Sequence, residues 1–123
     1  MPSDLLNVID VEATCWEGAP PPGQVNEIIE IGICVLDMAT RQPVYRRGIM
    51  VRPDRSQVSD FCTALTGLTP EAVAGGVSFA AACREMEREL EGRIRPWASW
   101  GDYDRKQFAR QCAATGTPLD RKS

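Results

Sequence analysis

The segment LLNVIDVEAT, residues 5–14, reads as a β-strand, and it constrains the fold more than any other part of the chain. It is apolar almost throughout and is followed at once by CWEGAPPPGQVN, a Gly/Pro-rich stretch that cannot continue a strand. Such a run belongs inside a sheet, yet it carries Asp10 and Glu12. Side chains alternate between the faces of a strand, so the two carboxylates share one face while Ile9 and Val11 share the other. Two neighbouring acids repel one another, and their placement on a core-like strand calls for a partner.

Two further runs are strand-like. EIIEIGICVLD, residues 27–37, is rich in β-branched residues, and PVYRRGIMVRP, residues 43–53, alternates more roughly. The short connections favour an antiparallel meander of these three strands. Helical signals come next. Thr69, Pro70 and Glu71 form an N-cap, a first-position proline and a first-turn acid, with Gly75 and Gly76 as the stop. In SFAAACREMERELEGR, Phe79, Cys83, Met86 and Leu90 recur at helical spacing between charges, which predicts an amphipathic helix with a core-facing stripe. PWASWGDYD is a short strand leaving through a glycine turn, and DRKQFARQCAATG is a last helix ending at Gly116. The predicted order is β-β-β-α-α-β-α, a mixed α/β domain occupying residues 1–123.

Charge is unevenly distributed. Residues 1–40 hold seven acids and no Lys or Arg, whereas residues 41–55 hold five arginines against one acid. From residue 92 onward there are seven basic residues against three acids. An acidic centre between basic stretches suits a metal site that must also hold a polyanion, although solvated surface charge gives a similar count. The five cysteines are widely spaced without a CxxC pair, so they read as reduced, buried thiols. No basic segment precedes an apolar one at the N-terminus and no run is long enough to span a bilayer, which points to a cytoplasmic protein without a membrane partner. The chain contains no histidine.

Acids that could hold an ion occur in three places: Asp10 and Glu12, Glu27 and Glu30, and Asp102 and Asp104. Hard divalent cations such as Mg²⁺ or Mn²⁺ take carboxylate oxygens, and a pair of them can clamp the attacking and leaving oxygens of a phosphoryl transfer. Each acid also has an ordinary explanation. An acid pair on a strand is commonly a solvated face. Glu27 and Glu30 read as a strand-edge charge and a structural partner, and Asp102 or Asp104 can cap the helix that follows.

Together, DVEATCWEG, NEIIEIG, VRP, LTGLTPEAV and WASWGDYDRKQF resemble, in order and spacing, the DEDDh 3′–5′ exonucleases of the ribonuclease-H-like fold. Within that family the chain is most similar to the branch containing the histone-mRNA 3′ exonuclease, the enhanced-RNAi exoribonucleases and the bacterial sporulation inhibitor. The resemblance implies a mixed central sheet, antiparallel through the first three strands with one parallel strand added, flanked by helices. It implies that Asp10, Glu12 and Asp104 are the catalytic acids and bind two Mg²⁺ or Mn²⁺ ions, Asp102 being the lesser candidate. It places Ala13 and Thr14 of the backbone, and Leu65 and Thr66 of the LTGLT turn, against the terminal nucleotides. Single-stranded 3′ ends, RNA favoured over DNA, are the implied partners.

The family's third motif, His-x-x-x-x-Asp on a final helix, has no counterpart among these residues, so the domain is expected to be C-terminally incomplete. Weak or absent activity follows, as does apolar surface that favours self-association. The alternative is a non-catalytic module that uses the same fold to bind nucleic acid or protein; completion of the site by a partner chain ranks lower.

Overall fold

The computed structural model describes the backbone of residues 5–91, 97–99 and 102–117, with side chains at 5–89, 106–107 and 109–117. Four strands form one sheet in the order β3-β2-β1-β4: β1 is Leu5–Ala13, β2 Ile28–Asp37, β3 Gln42–Met50 and β4 Trp97–Ser99. β1 pairs antiparallel with β2, and β2 with β3, which is the expected meander. β4 runs parallel to β1, aligning Asn7 with Trp97 and Ile9 with Ser99. The acid-bearing strand is therefore flanked on both sides by others.

Alternation along β1 sorts its residues as the sequence predicts. Ile9 and Val11 are buried, whereas Asp10 is exposed and Glu12 half-buried. Ile9 lies opposite Ile33, and Val11 opposite Ile31, itself opposite Ile49. This apolar face is covered by α3 (Phe79–Glu91) through Phe79, Ala82, Cys83 and Met86. Phe79, Met86 and the isoleucines each contribute about 1.5–3 kcal/mol on burial, and the smaller Ala82 and Cys83 less. Arg47 of β3 reinforces the contact, reaching Glu85 at 2.5 Å and Glu89 at 2.8 Å on α3. Being over a third exposed at Arg47, this network contributes about 1 kcal/mol or less.

The observed order contains one helix more than the sequence reading: α1 spans Asp60–Thr66, α2 Pro70–Ala74 and α4 Asp102–Thr115. The α2 caps are as predicted, Thr69 accepting a hydrogen bond from Ala72 N at 3.1 Å and Gly75 closing the helix. α1 was legible in principle: Ser59 caps it by accepting from Cys62 N at 3.0 Å, followed by a first-turn acid, Asp60. Leu65 and Thr66 thus sit in the last turn of a helix instead of a free turn, and Gly67 ends it at φ 81°, a conformation that favours glycine. All five cysteines are free thiols. Among the described residues, no helix is long and apolar enough to cross a membrane.

Candidate active site

At the far end of β1 the ladder is irregular. Glu12 faces Glu30, but Ala13 faces Ile28, so Ile29 is an extra residue on β2. Such a bulge re-aims the side chains around it. Ile28 stays in the main core, while Ile29 joins Val58, Cys62 and Val73 in a second cluster beneath α1 and α2. The distortion lies immediately after the two acids.

On the face of the acids, the row through Asp10 continues as Gly32 on β2 and Gly48 on β3. Neither glycine raises a side chain, so space opens beside Asp10: a pocket of about 600 Å³, also lined by Val8, Glu30, Cys34 and Arg46. A Cβ at Gly48 would stand 2.9 Å from Glu30 Oε2, so that carboxylate lies over the glycine. The Asp10 carboxylate makes no hydrogen bond or ion pair among the described residues. An exposed carboxylate with open space beside it and no internal partner fits a hard cation as ligand. Among the described residues, no three His, Cys, Asp or Glu side chains converge closely enough to hold an ion. Asp102 and Asp104 occupy the first turn of α4, with Asp104 inside the helix instead of at its cap, and their side chains lie outside the described set.

Glu27, which precedes β2, is 5 % exposed and organises the segments around the acids. Its Oε1 accepts from Arg55 N at 2.8 Å and Ser56 Oγ at 2.5 Å, and its Oε2 from Asp54 N at 3.0 Å. Its own backbone grips Thr14: Thr14 N donates to Glu27 O at 2.8 Å and Glu27 N to Thr14 Oγ1 at 2.9 Å. Thr14 Oγ1 also lies 3.0 Å from Ser56 Oγ, and Asn26 Nδ2 donates to Thr14 O at 2.5 Å. Thr14 is fully buried, and both its backbone polar groups are engaged within the protein. Ala13 is held at its carbonyl by Cys62 Sγ, 3.6 Å away.

The same arrangement fixes α1. Ser59 Oγ donates to Cys15 O at 2.7 Å, tying the start of the helix to the end of β1. Leu65 then projects into solvent at 69 % exposure. The Thr66 hydroxyl is occupied by its own helix end, donating to Cys62 O at 2.9 Å and accepting from Leu68 N at 3.1 Å. Burial is the leading cause, with the Cys62 hydrogen bond second, that raises the Cys15 thiol pKa to about 11; Glu12 adds to it.

α4 is docked by amide side chains. Gln111 Oε1 accepts from Ile28 N at 2.8 Å and Gln107 Nε2 donates to Asn26 O at 3.3 Å, both glutamines being buried. Ile28 faces Ala13 across the sheet, so these bonds hold the helix that carries Asp104 against the start of β2, level with the end of β1. Sequence reasoning passed over Ser56, Asn26, Gln107 and Gln111. Their signal is weak, since polar residues in loops and on helices usually face water.

A central strand bearing two acids on its open face, with a third on a helix docked beside it, is the ground plan of the metal-dependent nucleases with a ribonuclease-H-like fold. An exonuclease family profile (RNase_T) matches residues 7–113, and the chain belongs to that family. It is 44 % identical over 71 residues to human 3′-5′ exoribonuclease 1, covering 57 % of this chain and 20 % of that protein. The solved nuclease domain of 3′hExo, a DEDDh family member bound to rAMP, superposes with a TM-score of 0.81 at 31 % identity, covering 94 % of this chain and 62 % of that one. A 3′-exonuclease solved in 3′-end-specific recognition of a histone mRNA stem-loop superposes at 0.78 with 30 % identity, covering 92 % and 42 %. The chain spans about a fifth of the human relative's length, and roughly half of these solved chains.

Proposed function

We propose that this chain provides the acid-bearing part of a 3′–5′ exonuclease site acting on single-stranded nucleic acid, RNA before DNA. The supporting observation is Asp10, a carboxylate with no partner among the described residues, beside Glu12 on a strand whose neighbours supply glycine at that level. Asp10, Glu12 and Asp104 would hold divalent ions, Mg²⁺ or Mn²⁺, which supply Lewis acidity and a more acidic bound water. The chain's own contributions are positional. Glu27 and Thr14 brace the end of β1, α1 offers Leu65 as an apolar surface on which a terminal base can stack, and Gln107 and Gln111 hold α4 in place. RNA is favoured because the relatives above are named for RNA.

The 123 residues contain no histidine to remove a proton from the attacking water. General-base catalysis is typically worth about 10²–10⁴-fold, so turnover by these residues alone is expected to fall by that order. The same observation favours a second reading, in which metal and 3′ end are bound without turnover. Labelled RNA and DNA oligonucleotides with Mn²⁺ or Mg²⁺, alongside Asp10→Asn, test both. Metal-dependent binding of 3′ ends, weakened at least tenfold in the variant, supports the site. Shortening at the rate of the 3′hExo nuclease domain would refute slow turnover, and no metal binding would refute the assignment altogether.

A further inference from the structure

Away from the acids, a second pocket of about 350 Å³ lies between the connection preceding β2 and α4; Gln24, Arg55, Arg110 and Gln111 are among its lining residues. Its charged lining is one-sided, two arginines against one carboxylate. Gln24 Oε1 is taken by Gln57 N at 2.9 Å, and Gln111 Oε1 by Ile28 N at 2.8 Å. With both amide oxygens engaged, the two NH₂ groups remain as donors. The Arg55 guanidinium has no partner among the described residues, and the Arg110 guanidinium has only the neutral Gln107 amide oxygen. The one carboxylate in the lining, Glu27, has both oxygens committed to residues 54–56. Two guanidinium forks and two amide donors, opposed by no uncommitted carboxylate, suit a ligand that only accepts hydrogen bonds and carries negative charge.

We infer that this pocket holds a phosphate group, and that its source is the backbone of a bound nucleic-acid strand. The source, though not the chemistry, rests on the function proposed above. Arg110 and Asp104 stand on the same helix six residues apart, about 9 Å along its axis. A strand reaching the acids thus has the pocket within a short distance.

The test measures binding of a fluorescent single-stranded RNA oligonucleotide to the 123-residue chain in EDTA over a series of salt concentrations. Arg55→Gln, Arg110→Gln and the double variant are compared with the parent. Each single change is expected to weaken binding about 3–10-fold at low salt, and to flatten the slope of log affinity against log salt by about 0.7. Arg→Lys at either position should keep the slope while losing part of the affinity. Inorganic phosphate and adenosine monophosphate, followed by shifts of the Gln111 side-chain NH₂ resonance, form a second arm. Losses in the oligonucleotide arm assign the site to strand phosphate. Losses confined to the second arm assign it to free phosphate and overturn the strand source. A double variant that matches the parent in both arms, with an unchanged melting temperature, overturns the site. EDTA removes hydrolysis from the readout, so failure of the nuclease reading would show in the metal-dependent assays and leave the phosphate arm intact.

Discussion

Replacing Glu27 by alanine should be among the most damaging single changes outside the apolar core. The carboxylate is 5 % exposed and accepts three hydrogen bonds, from Asp54 N, Arg55 N and Ser56 Oγ. Hydrogen bonds to a charged acceptor contribute about 1.5–3 kcal/mol each, so the gross loss is roughly 5–9 kcal/mol. Asp54 and Arg55 lie in an exposed segment, and their freed N–H groups can regain water, offsetting about half. A net cost of about 3–4 kcal/mol remains, a large share of the roughly 5–15 kcal/mol that holds a domain folded. Glu27→Gln retains one acceptor oxygen but turns an NH₂ toward the remaining donors, so about 2 kcal/mol is expected. Urea denaturation followed by circular dichroism measures both. Hydrogen exchange gives a local readout: the Thr14 amide, bonded to Glu27 O, should lose protection more than the Ile33 amide in the middle of the sheet. If Glu27→Ala unfolds within about 1 kcal/mol of the parent and Thr14 keeps its protection, the bracing role is wrong.

Other expectations follow from the same structure. Asn7 is fully buried and neither its Oδ1 nor its Nδ2 has a partner among the described residues, so Asn7→Val should raise stability by about 1–3 kcal/mol in thermal unfolding. Gly76 and Gly48 separate two kinds of crowding. A Cβ at Gly76 would meet Met50 O at 2.6 Å, whereas at Gly48 it meets only the movable end of Glu30, so Gly76→Ala should cost at least about 2 kcal/mol and Gly48→Ala markedly less. Burial pushes the Cys83 thiol up to about 12, with the neighbouring Cys112 next in effect. A raised pKa in the folded state means that the stabilising difference is fully present below the ordinary thiol value near 9 and is lost as pH climbs toward 12. The melting temperature should therefore fall above pH 9, and more steeply in the parent than in Cys83→Ala.

What the sequence revealed depended on whether a residue's role was written into local spacing. The alternation of Ile9 and Val11 against Asp10 and Glu12 needs only the period of a strand, and it is the pattern observed. The caps of α2 are equally local, three residues apart in the chain. α1 carries the same kind of signal in Ser59 and Asp60, but at seven residues with one buried side chain it shows no apolar period to draw attention. The roles of Glu27, Ser56 and Gln111 are of another kind. Glu27 reaches residues 27–29 positions away, and Gln111 reaches Ile28 across 83 positions, so no window of sequence contains both partners. Glu27 read as a strand-edge charge or structural partner before a metal ligand, with nothing to show that its carboxylate joins residues 54–56 to the end of β1. The Asp10 row explains itself only after folding, because Gly32 and Gly48 matter through register: either glycine alone is an ordinary strand residue, and side by side with Asp10 they leave open space beside its carboxylate. The chemistry proposed for this chain thus rests on residues that the sequence displays, and the segments around them are braced by polar contacts that it conceals.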